Sequence, residues 1–135
     1  MIAIDTNVLV RIVTNDDPAQ ARQAMKCLAT PDGVFVGKTV LLELEWVLRS
    51  AYRLPRENIH RAMMNILGLP GLVAEDAEQL ASALDGYRQG LDFADALHYA
   101  ASQGGTSGFH TFDVRFAKRG RDLGLDVHEI AVKDH

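Results

Sequence analysis

The tightest constraint on the fold is a series of very short apolar runs, each bounded by polar or turn residues. Ile2-Ala3-Ile4 stops at Asp5-Thr6-Asn7, and Val34-Phe35-Val36 follows the turn Pro31-Asp32-Gly33. Leu72-Val73-Ala74 and Gly108-Phe109-His110-Thr111 repeat the pattern, and a fifth run extends from Asp126 to Val132. Short, uniformly apolar segments without polar alternation read as strands buried on both faces. Helical segments separate them. One follows Asp5 or Thr6 as N-cap, and one runs from Pro18 to about Ala29 after the turn Asn15-Asp16-Asp17-Pro18. Others run from about Thr39 to Arg53, from Pro55 to near Gly68, from an Asp76 cap to about Arg88, and from Phe93 to Ser102. A last short helix starts at Asp113. Alternating strands and helices predict a parallel sheet covered on both faces.

The 135 residues contain no repeat, low-complexity tract or linker, so one domain is expected over 1–135. Hydrophobic residues make up 47% and charged residues 24%, the balance of a soluble globular chain. Met1 to Val13 is too short, and too interrupted by Asp5 and Arg11, for a signal peptide or membrane span. The single cysteine, Cys27, excludes an internal disulfide and fits a reducing cytoplasm; it is expected in the core. The net charge of −4 repels phosphates at long range, so nucleic-acid binding requires a local basic patch or bridging cations.

Several carboxylates sit where structure alone does not require them. Ligands of open α/β sheets bind outside the carboxyl ends of the strands, and Asp5 and Asp113 both follow strands directly. Each is also an ordinary helix cap. Asp95 lies in a segment that is apolar almost all round, Phe93 to Ala101, where a carboxylate needs a partner or a proton. Asp92 lies one turn earlier on the same side, as a cap or as a further acid. In the helix from Thr39 the stripe is read as Val40, Leu44, Val47, Leu48 and Ala51; Glu43 and Glu45 flank it, and periodicity does not choose between them.

Metal binding unites these groups. Hard divalent ions such as Mg²⁺ and Mn²⁺ prefer oxygen ligands, and such an ion removes the repulsion among converging carboxylates. It can also hold a phosphate and acidify a water for attack on it. His60, His98, His110, His128 and His135 lack zinc-ligand spacing. Gly104-Gly105 lacks a phosphate-loop fingerprint, and no Gly-x-Ser-x-Gly is present.

Four segments in order, Ile4-Asp5-Thr6-Asn7, Leu42-Glu43-Leu44, Asp92-Phe93-Ala94-Asp95-Ala96-Leu97 and Thr111-Phe112-Asp113, resemble the PIN-domain nucleases, in particular VapC-type toxins of bacterial toxin–antitoxin pairs. The resemblance runs from residue 2 to about 130. It implies an α/β/α sandwich with a central parallel sheet of four to five strands. It implies that Asp5, Glu43, Asp95 and Asp113 are the catalytic acids, with Asp5, Asp95 and Asp113 as metal ligands and Glu43 chosen over Glu45. Thr6, Asn7 and Thr111 would orient these acids by hydrogen bonding, with Asp92 in support. It further implies Mg²⁺- or Mn²⁺-dependent cleavage of single-stranded RNA leaving a 5′-phosphate and a 3′-hydroxyl, a homodimer, and a cognate antitoxin that wraps the early helices.

Arg115, Lys118, Arg119 and Arg121 cluster after Asp113. They are read either as a solvated helix face or, for Arg115, Lys118 and Arg119 above all, as holders of the phosphates flanking the cut. Arg49, Arg53 and Arg56 with Tyr52 form a second loose group. Met25, Leu28, Met63, Met64, Leu67 and Trp46 are divided between core and interface. Three rivals remain: an RNA-processing PIN nuclease outside any toxin pair, a non-catalytic module with structural acids, and a magnesium phosphatase. The phosphatase needs an Asp-x-Asp after the first strand, where this chain has Asp5-Thr6-Asn7.

Overall fold

A computed structural model describes residues 1–132. They fall into two compact units, Met1–Leu80 and a second beginning at Ala81. Every expected strand and helix is present, and all strand pairs are parallel.

The first unit holds β1 (Ile2–Ala3), α1 (Thr6–Thr14), α2 (Pro18–Leu28), β2 (Val34–Val36), α3 (Lys38–Ser50), α4 (Arg56–Leu67) and β3 (Leu72–Ala74). Its sheet has the order β1-β2-β3, with Ile2 opposite Val34 and Val34 opposite Leu72. Parallel neighbours need crossovers, which the helices supply. Asp17 caps α2, its Oδ1 accepting from Gln20 N at 3.1 Å, and Pro18 occupies the first turn. Gly33 takes φ +90° where the chain enters β2, beside the Gly71 carbonyl, a conformation that disfavours a side chain. The core is Leu9, Val10, Val34, Val36, Leu41, Leu44, Leu48, Ile59, Met63 and Ile66. Beyond α1, the Tyr52 hydroxyl donates to Asp16 at 2.6 Å and the Arg11 guanidinium lies 3.0 Å from the same carboxylate. Tyr52, then Thr14 and Arg11, hold Asp16 below the usual carboxylate range.

α3 departs from its expected stripe. The buried residues are Leu41, Leu44, Glu45 and Leu48, whereas Val40 and Val47 are half-buried and Ala51 is exposed. Glu45, 3% exposed, therefore lies on the buried face, where it pairs with Arg49 at 2.9 Å. Cys27 is exposed, not in the core. The buried face of α2 is Ala21 and Ala24, and Cys27 lies on its shoulder, lining an apolar groove of about 450 Å³ with Asn7, Val8, Arg11 and Ala24. Met63 is buried, but Met25, Met64 and Trp46 are exposed.

α5 (Ala77–Arg88) spans the boundary between the units, and the second unit continues with α6 (Phe93–Ser102), β4 (Phe109–Thr111), α7 (Val114–Asp122) and β5 (Val127–Glu129). β4 and β5 form their own two-stranded parallel ladder, Phe109 opposite Val127. The five strands, within the expected four to five and all in parallel pairs, pair as three and two. β1 is only two residues long and its ladder partner is β2. β5 is shorter than the expected Asp126–Val132, because Ile130 N makes the last bond, to Thr111 O at 2.7 Å. Edge-to-face contacts join Tyr99 to Phe109 and Phe109 to Phe116, and Tyr87 to Phe93. Such pairs add to the burial of their rings. No helix among the described residues is long and apolar enough to cross a membrane. Of the five histidines, His135 lies outside the described residues.

Candidate metal centre

In the first unit, Asp5 follows β1 and caps α1. Its Oδ1 accepts from Thr6 N at 2.6 Å, and Thr6 itself is buried. A short polar side chain at the strand end satisfies a helix N–H that has no partner within the helix. Asn7 is exposed in the first turn of α1, and Glu43 is exposed on α3. Of the two acids that periodicity does not separate, Glu45 is buried in its ion pair and Glu43 faces solvent. One acid went unnoticed in the sequence. Glu75, just past β3, accepts from Lys38 N at 2.8 Å and caps α3, whose own N-cap, Gly37, has no side chain to do so. The Lys38 ammonium also binds Gln79.

In the second unit three acids gather. Asp92 caps α6 through Oδ1, accepting from Asp95 N at 3.0 Å. Asp113 caps α7 through Oδ1, accepting from Phe116 N at 3.0 Å. The Thr111 hydroxyl accepts from Asp113 N at 2.9 Å, which fixes the backbone from which that carboxylate projects. Asp95 alone caps nothing. Its carboxylate accepts no hydrogen bond among the described residues, and it is half-buried on the stripe it shares with exposed His98. Burial raises its proton affinity above the ordinary aspartate value, the charges of Asp92 and Asp113 raise it further, and His98 opposes them. Like charges that disfavour ionisation are the mark of acids placed close together.

The donor chemistry fits a hard divalent ion. All the candidate donors are carboxylate oxygens. Each of the capping acids Asp5, Asp92 and Asp113 uses one oxygen on the backbone, and its Oδ2 has no hydrogen-bond partner among the described residues. Asp95 carries the excess proton affinity that a cation would satisfy. Among the described residues, however, no group of three or more His, Cys, Asp or Glu side chains is arranged to hold a metal ion, so coordination requires these side chains to turn toward the ion.

The basic residues divide. Arg119 Nη1 donates to Gly90 O at 3.0 Å, tying α7 to the loop before α6, and Arg121 Nε donates to Ala117 O at 3.2 Å. Arg115 and Lys118, exposed and three residues apart on α7, make no hydrogen bond or ion pair among the described residues. In the other basic group, Arg49 is paired with Glu45 and Tyr52 donates to Asp16.

Comparison with known proteins gives a family. The model of the PIN domain matches residues 2–122. No curated protein matches. Among solved structures, the crystal structure of Mycobacterium tuberculosis VapC20, titled a sarcin-ricin loop cleaving toxin, is 16% identical over 97% of this chain and 90% of that one, with a TM-score of 0.43.

Proposed function

Because the chain belongs to the PIN domain family, whose members are generally nucleases that use divalent metals, we propose that it is a metal-dependent endoribonuclease acting on single-stranded RNA, the toxin of a VapC-type toxin–antitoxin pair. The observation that carries the reading is Asp95: a half-buried carboxylate without a hydrogen bond, held against Asp92 and Asp113. Structural need does not account for it, since an unpaired acid in such a place is a cost.

In this reading Asp5, Asp95 and Asp113 hold Mg²⁺ or Mn²⁺, and Glu43 is the fourth acid. When bound, the ion supplies positive charge to the scissile phosphate and acidifies a water for in-line attack. The chain's own residues do the rest. Thr111 holds the backbone from which Asp113 projects. The first N–H groups of α7 and α1 engage one oxygen of Asp113 and of Asp5, leaving the other oxygen of each to turn to the ion, with Asn7 beside Asp5. Asp92 supports Asp95 by capping the same helix. Arg115 and Lys118 take the phosphates on either side of the cut; Arg119, held by Gly90 through one nitrogen, contributes with its remaining donors. The apolar groove between α1 and α2, with Met25 exposed on α2, suits an antitoxin helix. A homodimer and action on cytoplasmic RNA follow from the resemblance.

The rival with structural acids draws on one fact: Asp5, Asp92 and Asp113 are all helix caps. It leaves Asp95 without a role. Purified protein incubated with total RNA and Mg²⁺ or Mn²⁺ decides between them. The nuclease reading expects discrete cuts with 5′-phosphate ends, abolished by EDTA and by Asp5→Asn or Asp95→Asn in folded protein. Cleavage that persists in both variants rejects it.

A further inference from the structure

Phe112 is 66% exposed, although it stands between Asp113 of the second unit's acid cluster and Thr111, whose hydroxyl accepts from Asp113 N. Nearby rings that serve the core are held by other rings, since Phe109 and Phe116 pack edge to face with each other. Phe112 has no ring partner among the described residues, and Val114 beside it is 60% exposed. A benzyl group left in water forfeits the free energy its burial would give, so its position next to Asp113 calls for a ligand that covers it.

The charges nearby select that ligand. α7 carries Arg115, Lys118, Arg119 and Arg121 against only Asp122, in a chain whose net charge is −4. Phe116, Ala117 and Gly120 form the buried face of α7, which turns Arg115 and Lys118 to the solvent side, and those two have no internal partner among the described residues. A free ring, two free cations and one acid of the cluster within one short segment match an unpaired nucleotide, whose base stacks on the ring while its phosphates meet the cations. An apolar helix of a protein partner would bury those cations without satisfying them.

We infer that Phe112 is a stacking platform for the base beside the cut, and that it selects substrates whose base at that position is unpaired. The inference rests on the nuclease reading. It places the discrimination between looped or single-stranded RNA and duplex RNA in one side chain, because a base inside a helix cannot lie on the ring.

The test uses the full chain with Asp95→Asn, which binds without cutting, and short single-stranded RNAs carrying 2-aminopurine at successive positions. Stacking on Phe112 quenches the probe at one position. Phe112→Ala is expected to abolish that quench and weaken binding about 5- to 150-fold; an abasic nucleotide at the same position removes the difference. Phe112→Tyr and Phe112→Trp are expected to retain binding, whereas Phe112→Leu behaves as alanine. Because the side chain is exposed, all four variants fold. Unchanged binding and quenching in Phe112→Ala overturn the inference, as does full binding by Phe112→Leu, or a loss confined to association with a protein. If the parent chain cuts RNA while these outcomes hold, only the stacking inference falls; if it neither binds nor cuts RNA, the nuclease reading falls with it.

Discussion

Asp113 has two roles, and two substitutions separate them. Its Oδ1 accepts from the backbone N–H of buried Phe116 at 3.0 Å, and its negative charge bears on Asp95. Alanine removes both functions. A helix N-cap changed to alanine costs about 1 kcal/mol, within a range of roughly 0.5–2. Asparagine keeps an amide oxygen at the same place and caps about as well as aspartate. It loses the attraction between the charge and the N-terminus of α7, about 0.3–1 kcal/mol at a surface, but it also relieves the repulsion on Asp95. The two changes oppose each other, so the net effect lies near zero. Unfolding entropy of about 2.1 cal/mol/K per residue converts 1 kcal/mol into about 3–4 °C for a chain of 135 residues. Thermal unfolding by circular dichroism, with EDTA present so that no ion stabilises the folded state, is therefore expected to show Asp113→Ala about 3–4 °C below the parent and Asp113→Asn close to it. RNA cleavage in Mg²⁺ is expected to vanish in both. Equal melting temperatures for the alanine and asparagine proteins would refute the capping argument. Cleavage by Asp113→Asn would refute the need for the charge.

Other outcomes follow from neighbouring residues. Asp95→Asn is expected to raise the melting temperature of metal-free protein at neutral pH while abolishing cleavage. The folded state binds a proton at Asp95 more readily than the unfolded chain, so ionised Asp95 costs stability above its raised pKa. That cost is relieved as pH falls through this value toward the ordinary 3.8; parent and variant melts measured across that interval should converge on the acid side. Arg49→Ala removes the guanidinium 2.9 Å from buried Glu45. It is expected to destabilise by on the order of 1 kcal/mol in urea titrations, less than for a fully buried pair because Arg49 is half exposed. Gly90→Ala places a Cβ 2.5 Å from Arg119 Nη1 at φ +108°; a loss of about 1 kcal/mol or more of unfolding free energy in urea titrations is expected, and an unchanged midpoint would mean the loop shifts freely.

The sequence made some elements legible and hid others for physical reasons. Asp5, Asp17, Asp92 and Asp113 stand at helix starts where their types predict them, because capping is a local interaction between one side chain and the N–H groups just after it. The face of α3 was not legible, since residues 40, 41, 42, 44, 46, 47 and 48 are all apolar and give the helix no clear phase. Tertiary packing buries Leu41, Leu44 and Leu48 together with Glu45, and periodicity carries no information about which of the available faces that packing takes. Glu75 was invisible for the complementary reason: it caps α3 from 37 residues away. Asp95 stands out in the sequence as anomalous, in a segment apolar almost all round for which burial is expected. Asp95, His98 and Ala101 instead form a less buried stripe, and that is how a carboxylate stays ionisable there.

The division of labour among the acids explains why one of them stands out. Asp5, Asp92 and Asp113 each receive an N–H from the helix they start, so their charges are partly compensated by the fold. Asp95 lies in the first turn but accepts nothing, and it takes the repulsion of two of the others together with partial burial. The electrostatic cost of the cluster is therefore concentrated on one residue. A cation that binds the cluster gains most at that residue, and so does a proton, which makes the two competitors. Lowering the pH is then expected to weaken Mg²⁺ affinity in step with protonation of Asp95, and the pH dependence is expected to diminish in Asp95→Asn. Calorimetric titration at several pH values distinguishes this from a site whose acids are equivalent, where removing any one of them would flatten the dependence equally.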